Sequence, residues 1–141
     1  MVYEKNKNID LNPRTTSIYF VSSAHRRKQK HKSRWTVTVD HEVECFINSQ
    51  ENSWIEDFVG WGLIPNGNSL LVLGQNSQKE ELKIAKFVAK NDDRVWHGYP
   101  ADYCRNIQDR PGMSILSDWR TAGHIEKHHI IKIRQGKECN L

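Results

Sequence analysis

The sequence predicts an α+β domain with a mainly antiparallel sheet from its N-terminal half and three to four helices, two of them a C-terminal helical hairpin. Three observations predict it. β-Branched and aromatic runs occupy the first half, at "SIYFVSS" (17–23) and "RWTVTVDHEVECFI" (34–47). Capping-box pairs, Ser53 with Glu56 and Ser77 with Glu80, precede apolar residues at helical spacing. A glycine-closed amphipathic segment, "SILSDWRTAG" (114–123), precedes an isoleucine-rich one, "HIEKHHIIKIRQGK" (124–137). A chain of 141 residues suits one domain. Residues 1–15, polar and asparagine-rich, read as a flexible N-terminus, and residues 16–141 as the single α+β domain.

The elements follow in order. Residues 17–23 form a strand. In 34–47, Trp35, Val37 and Val39 share one face of an extended chain, and Val43, Cys45 and Ile47 resume the alternation beyond Asp40–His41. That pattern is one bent strand, or two with a turn or bulge between them. "SWIEDFVGWGLIP" (53–65) reads as a helix with Trp54, Ile55, Phe58 and Val59 inward, ended by Gly60 and Gly62. "SLLVLG" (69–74) is short and apolar enough for a buried strand, and "QKEELKIAKFVAKN" (78–91) is a helix of good helix formers. Residues 94–112 hold two prolines and two glycines and read as an ordered, turn-rich segment with at most a short helix after Pro100. Ile115, Leu116, Trp119 and Ala122 make the inner stripe of a helix closed by Gly123, and 124–137 is read as a second helix.

Five tryptophans supply a core in a chain of 37% hydrophobic residues, each ring able to bury about 150–250 Å². Cys45, Cys104 and Cys139 are odd in number and lack CxxC spacing, which argues against a disulfide framework. No apolar stretch approaches the ~20 residues of a membrane span, and "MVYEKNKNIDLNPR" lacks a signal-peptide core, so a cytoplasmic protein without a membrane partner is expected. No phosphate-binding glycine loop supports a nucleotide, and no cofactor is expected.

The net charge of +4 implies no polyanion partner by itself. Its distribution matters more. "AHRRKQKHKSRW" (24–35) concentrates Arg26, Arg27, Lys28, Lys30, Lys32 and Arg34 without an acid. Six phosphate contacts on duplex DNA would give a salt slope of about −5. Trp35 would add a stacking face for an unpaired base. Lys127, Lys132 and Arg134 on the last helix would help, in the manner of a helix-turn-helix, although Ile130, Ile131 and Ile133 favour a core-closing role. The competing reading of the run is a solvated loop held open by repulsion.

Two further readings stand beside nucleic-acid binding. One is a protein-interaction module, an inhibitor or assembly subunit, using exposed tryptophans such as Trp61 between two glycines. The other is a small metal-independent nuclease or hydrolase centred on "WHGYPADY". His97 would be its base, Asp102 would orient the imidazole, Arg94, Arg105 or Arg110 would bind phosphate, and Cys104 would be an alternative nucleophile. Metal ligation is not expected. In "HIEKH", Glu126 lies about 200° round a helix from His124, which excludes a zinc-protease arrangement with His128.

Overall fold

The longest strands sit at the centre of the sheet. β10 (Ile84–Ala89) and β11 (Val95–Ala101) pair antiparallel from Ile84↔Ala101 to Ala89↔Trp96. β5 (Val59–Gly62) pairs antiparallel with β10, and β4 (Ile55–Glu56) closes that edge. On the other side β2 (Ile18–Phe20) runs parallel to β11 at Val95 and Trp96, and β1 (Asn8–Asp10) pairs antiparallel with β2. The order is β1-β2-β11-β10-β5-β4. The structure, a computed structural model, describes residues 3–30, 32–89 and 94–141. Within those residues it is an α+β arrangement of this mixed sheet, two small accessory sheets and three α-helices. Four of the five pairings in this sheet are antiparallel, as expected; the parallel pairing of β2 with β11 and the central place of residues 84–101, outside the N-terminal half, differ from the expectation. No helix among the described residues is long and apolar enough to cross a membrane.

α1 (Val39–Glu51) replaces the expected strand. Thr38 Oγ1 accepts from the His41 amide at 3.2 Å, and Asp40 and Glu42 occupy the first turn, where the helix dipole favours acids. Val43, Phe46 and Ile47 form its buried stripe, and the i, i+2 spacing of Val43, Cys45 and Ile47 coincides with it. Only β3 (Arg34–Trp35) remains extended; it pairs with β8 (Gly74–Gln75), which pairs with β9 (Glu81–Leu82).

The expected helix over 53–65 is a β-hairpin. Asp57 (φ +50°) and Phe58 (φ +63°) supply the two consecutive left-handed residues of a tight turn joining β4 to β5. The expected helix over 78–91 is β9 and β10, its last two residues lying outside the described ones. The Ser77–Glu80 pair belongs to the turn before β9. Asn76 Oδ1 accepts from the amides of Gln78 and Glu80, both at 3.0 Å. Pairing with β5 on one side and β11 on the other outweighs intrinsic helix preference, which is weak per residue. β11 itself was expected as turns. Pro100 is tolerated there because, beside Ala85 of β10, its carbonyl turns to the other side, where it accepts from Ser33 Oγ and where β2 pairs only with Val95 and Trp96, so no ladder bond among the described residues needs its missing N–H. Of the expected strand 69–74, Ser69 and Leu70 form β7, paired with β6 (Pro65–Asn66), and Gly74 begins β8.

Helices cover both faces of the main sheet. α1 packs Val43, Phe46 and Ile47 into one cluster with Tyr19, Trp35, Phe87 and Trp96. α2 (Met113–Thr121) and α3 (Lys127–Gln135) pack Leu116, Trp119, Ile130 and Ile133 with Trp61, Leu63 and Ile84 in the other. Both C-terminal segments are helical as the sequence predicts. Gly136, at φ +69°, ends α3 in the left-handed conformation that favours glycine.

Candidate functional site

The basic run crosses from β2 in the main sheet to β3 in the accessory sheet. A short 3-10 turn over Ser23–His25 starts it, and Ser22 Oγ accepts from the Ala24 amide at 3.2 Å. Arg26 then turns inward. Its Nε and Nη2 donate to Glu42 Oε1 at 3.2 and 2.8 Å, and Nη1 donates to the Val37 carbonyl at 2.6 Å. Tyr19 donates to the other oxygen of Glu42 at 2.5 Å. Burial raises the pKa of Glu42, while Tyr19 and Arg26 pull against it. Arg26 is therefore a structural cation.

Arg34 is half-buried and donates to Gln75 Oε1 at 3.2 Å. Trp35 is only 2% exposed; its indole N–H donates to the Gly98 carbonyl at 3.1 Å and its ring stacks near Phe87. It offers no face to an unpaired base, which corrects the stacking role expected of it. Arg27, Lys28, Lys30 and Lys32 point to solvent, and no carboxylate among the described residues pairs with them. His31 lies outside the described residues.

At the end of the run opens a polar cleft of about 520 Å³, lined by His25, Lys32 and Ser33, the Asn76–Gln78 turn, Tyr99, Asp102 and the 105–109 loop. β11 and the 3-10 turn Ile107–Asp109 hold its floor. Asp109 is buried and accepts from Tyr99 OH (2.9 Å), the Asp102 amide (3.0 Å) and Asn106 Nδ2 (3.3 Å), with Lys86 Nζ 3.6 Å away. Lys86 is itself buried, donates to the Gln108 carbonyl at 2.6 Å, and lies 5.6 Å from the Trp61 ring centre and 5.9 Å from that of Tyr99. Asp102 Oδ2 accepts from Asn76 Nδ2 at 3.1 Å and lies 3.6 Å from Arg105 Nε, whose guanidinium is held by Glu80. His25 stacks on Tyr99 with ring centres 5.4 Å apart. Burial keeps its pKa below the usual 6.5, so the ring is neutral at pH 7. Nδ1 lies 3.4 Å from the Ser33 carbonyl, which can only accept; this assigns the neutral ring's proton to Nδ1 and leaves a lone pair on Nε2.

The histidine-centred catalytic reading does not assemble. His97 and Asp102 lie on opposite faces of extended chain and roughly 16 Å apart along it, too far for Asp102 to orient the imidazole. Burial first, and the Asp102 charge second, raise the Cys104 pKa, the reverse of what a nucleophilic thiol needs. Of the three arginines expected to bind phosphate there, Arg105 is engaged by Glu80 and Arg110 donates to the Tyr103 carbonyl at 2.8 Å. Lys127, Lys132 and Arg134 are exposed on α3 and line no part of the cleft. Trp61 is buried in the core and is no exposed anchor.

Among the described residues, one group, Glu126, His128 and His129, has its ligand atoms within 4.8 Å of one another. It is a helix cap. The Glu126 amide donates to His129 Nδ1 at 3.0 Å, and the Glu126 side chain accepts from the His129 amide. An Nδ1 that accepts leaves the proton of the neutral ring on Nε2, so His129 has no lone pair for a metal while the cap is intact.

Sequence reasoning missed His25, Asp109, Lys86 and Asn76. Only His25 carried a local signal, as the histidine directly before Arg26 and Arg27; Asn76, Lys86 and Asp109 are joined to Asp102 only through folded contacts. The chain matches no family model, no curated protein and no solved structure.

Proposed function

We propose that this protein binds single-stranded nucleic acid without catalysis, with Arg27, Lys28, Lys30 and Lys32 carrying the phosphate contacts. The observation that supports the reading is that these four cations are exposed and lack acidic partners among the described residues, while Lys32 also lines the mouth of a polar cleft. Self-neutralised arms show the opposite pattern, as Arg26 does with Glu42. Three free thiols suit the reducing cytoplasm, where nucleic acid is accessible.

The number of exposed cations sets the expected salt dependence. Four contacts on a single strand give a slope of about −3, hence about 50-fold weaker binding between about 50 and 200 mM salt. Fluorescence anisotropy with labelled RNA and DNA oligonucleotides measures it. A slope near zero, or no binding at low salt, refutes the proposal; nuclease-resistant co-purification of one protein then identifies the run as part of a protein interface.

A further inference from the structure

Resting on that reading and extending it, we infer that the cleft seats one unpaired amine-bearing nucleobase, and that Asp102 selects cytosine over uracil there. Size is the first argument. The cleft, about 520 Å³, falls within the range of about 300–1,000 Å³ common to small-ligand sites.

Charge is the second. Inside the cleft the ions are already matched: Asp109 faces Lys86, and Arg105 is shared between Glu80 and Asp102. An incoming phosphate would meet two carboxylates whose compensating cations are committed. Lys32 is the one lining lysine or arginine without an acidic partner among the described residues, and it is exposed. Phosphates thus belong outside, along Arg27, Lys28, Lys30 and Lys32, and the group that enters is neutral and polar. An unpaired base tethered to its backbone divides in this way.

The third argument is an acceptor left open by the protein. Asp102 is 7% exposed, and its Oδ2 is taken by Asn76. Its Oδ1 accepts nothing from the described residues, although the side chain lines the cleft. That oxygen is not closed off from water, and with no protein donor it is open to accept a hydrogen bond from a ligand donor in the cleft. The 4-amino group of cytosine is such a donor. Uracil places a carbonyl at the same position, and its lone pairs would face the carboxylate. His25, stacked on Tyr99 with its plane 22° away, adds an aromatic surface to the lining on which a base can stack.

Cytosine and uracil differ little in size, so competition between labelled oligocytidine and oligouridine reads this contact directly. The native protein should prefer oligocytidine by about tenfold, the equivalent of about 1.4 kcal/mol. Asp102→Asn keeps the side-chain shape and an acceptor for Asn76 while removing the charge, and should bring the ratio toward one. The Lys28→Ala/Lys30→Ala double variant should weaken both oligomers equally and keep the ratio. A native ratio near one with a normal salt slope overturns the cleft assignment and leaves the phosphate-binding arm standing. Equal preference in native and Asp102→Asn protein overturns the role of Asp102. Failure of every oligonucleotide to bind at low salt sinks both proposals.

Discussion

Replacing Arg26 by alanine separates structural from surface charge in the basic run. Glu42 is 1% exposed and accepts from Arg26 Nε and Nη2 and from Tyr19 OH. Without the guanidinium, a carboxylate closed off from water retains one neutral donor, and the Val37 carbonyl loses its bond to Nη1. Unpairing a buried ion costs about 3–5 kcal/mol. Unfolding entropy of about 2.1 cal/mol/K per residue over 141 residues amounts to about 0.3 kcal/mol/K, so Tm should fall by about 10–17 °C. The loss should depend on pH in a defined direction. The folded pKa of Glu42 is already above its usual 4.5, chiefly through burial. The native state therefore binds that proton more tightly than the unfolded chain does. The stabilisation this proton gives is complete below 4.5 and is lost as pH rises through the folded value. Removing Arg26 raises the folded value further. The variant's deficit should be greatest at neutral pH and should shrink as pH falls toward 4.5. Thermal unfolding followed by circular dichroism at about pH 5 and pH 7.5 measures both effects. A Tm within about 2 °C of the native value refutes the structural role of the pair. A loss of equal size at both pH values refutes its assignment to an uncompensated Glu42.

Other perturbations test neighbouring parts of the argument. The Lys28→Ala/Lys30→Ala variant should leave Tm within experimental scatter and halve the salt slope from about −3 to about −1.5, read by anisotropy titration. Trp35→Phe keeps a ring beside Phe87 but leaves the Gly98 carbonyl without its donor; urea unfolding should show a loss of about 2 kcal/mol. Gly98→Ala would drive a methyl group into the Phe87 ring across β10 and should cost about 3 kcal/mol or more by the same measurement. Burial raises the pKa of Cys104 and Cys139 above the usual 9.0, so thiol labelling near neutral pH should be slow and should accelerate with rising pH. Fast labelling of Cys104 at neutral pH would restore a nucleophilic role.

The fold was legible in the sequence where local pattern and tertiary pairing agree. α2 is such a case: Ile115, Leu116 and Trp119 share a helical stripe, and all three are buried. So is β2, whose β-branched and aromatic residues pair within the main sheet. The reading failed where a segment carried two patterns. Val43, Cys45 and Ile47 alternate, yet Thr38 and the acids of the first turn make that segment a helix. Residues 84–89 hold good helix formers, yet Phe87 and Ala85 face α1 while Ile84 faces α2 and α3, as a two-sided central strand requires. Composition could not decide the second case, because the deciding bonds run to β5 and β11, which are separate segments of the chain.

The site was legible as a charge and illegible as a shape. Six cations in a row announce a positive surface, but the row does not say which of them has a partner. Arg26 meets a glutamate sixteen positions away, and that acid is visible only once α1 is recognised as a helix. The same error that turned α1 into a strand therefore left Arg26 in the cation count, and the pairing of β3 with β8, which sets Arg34 beside Gln75, takes the count from five to four. Four contacts against six is a difference the salt slope resolves, since each single-strand contact contributes about 0.7 to it. The slope is thus a solution measurement of how far the chain neutralises its own arm. A slope near −4 or steeper would mean that Arg34 or the α3 cations also reach the backbone, so that the ligand spans more than the four exposed positions beside the cleft.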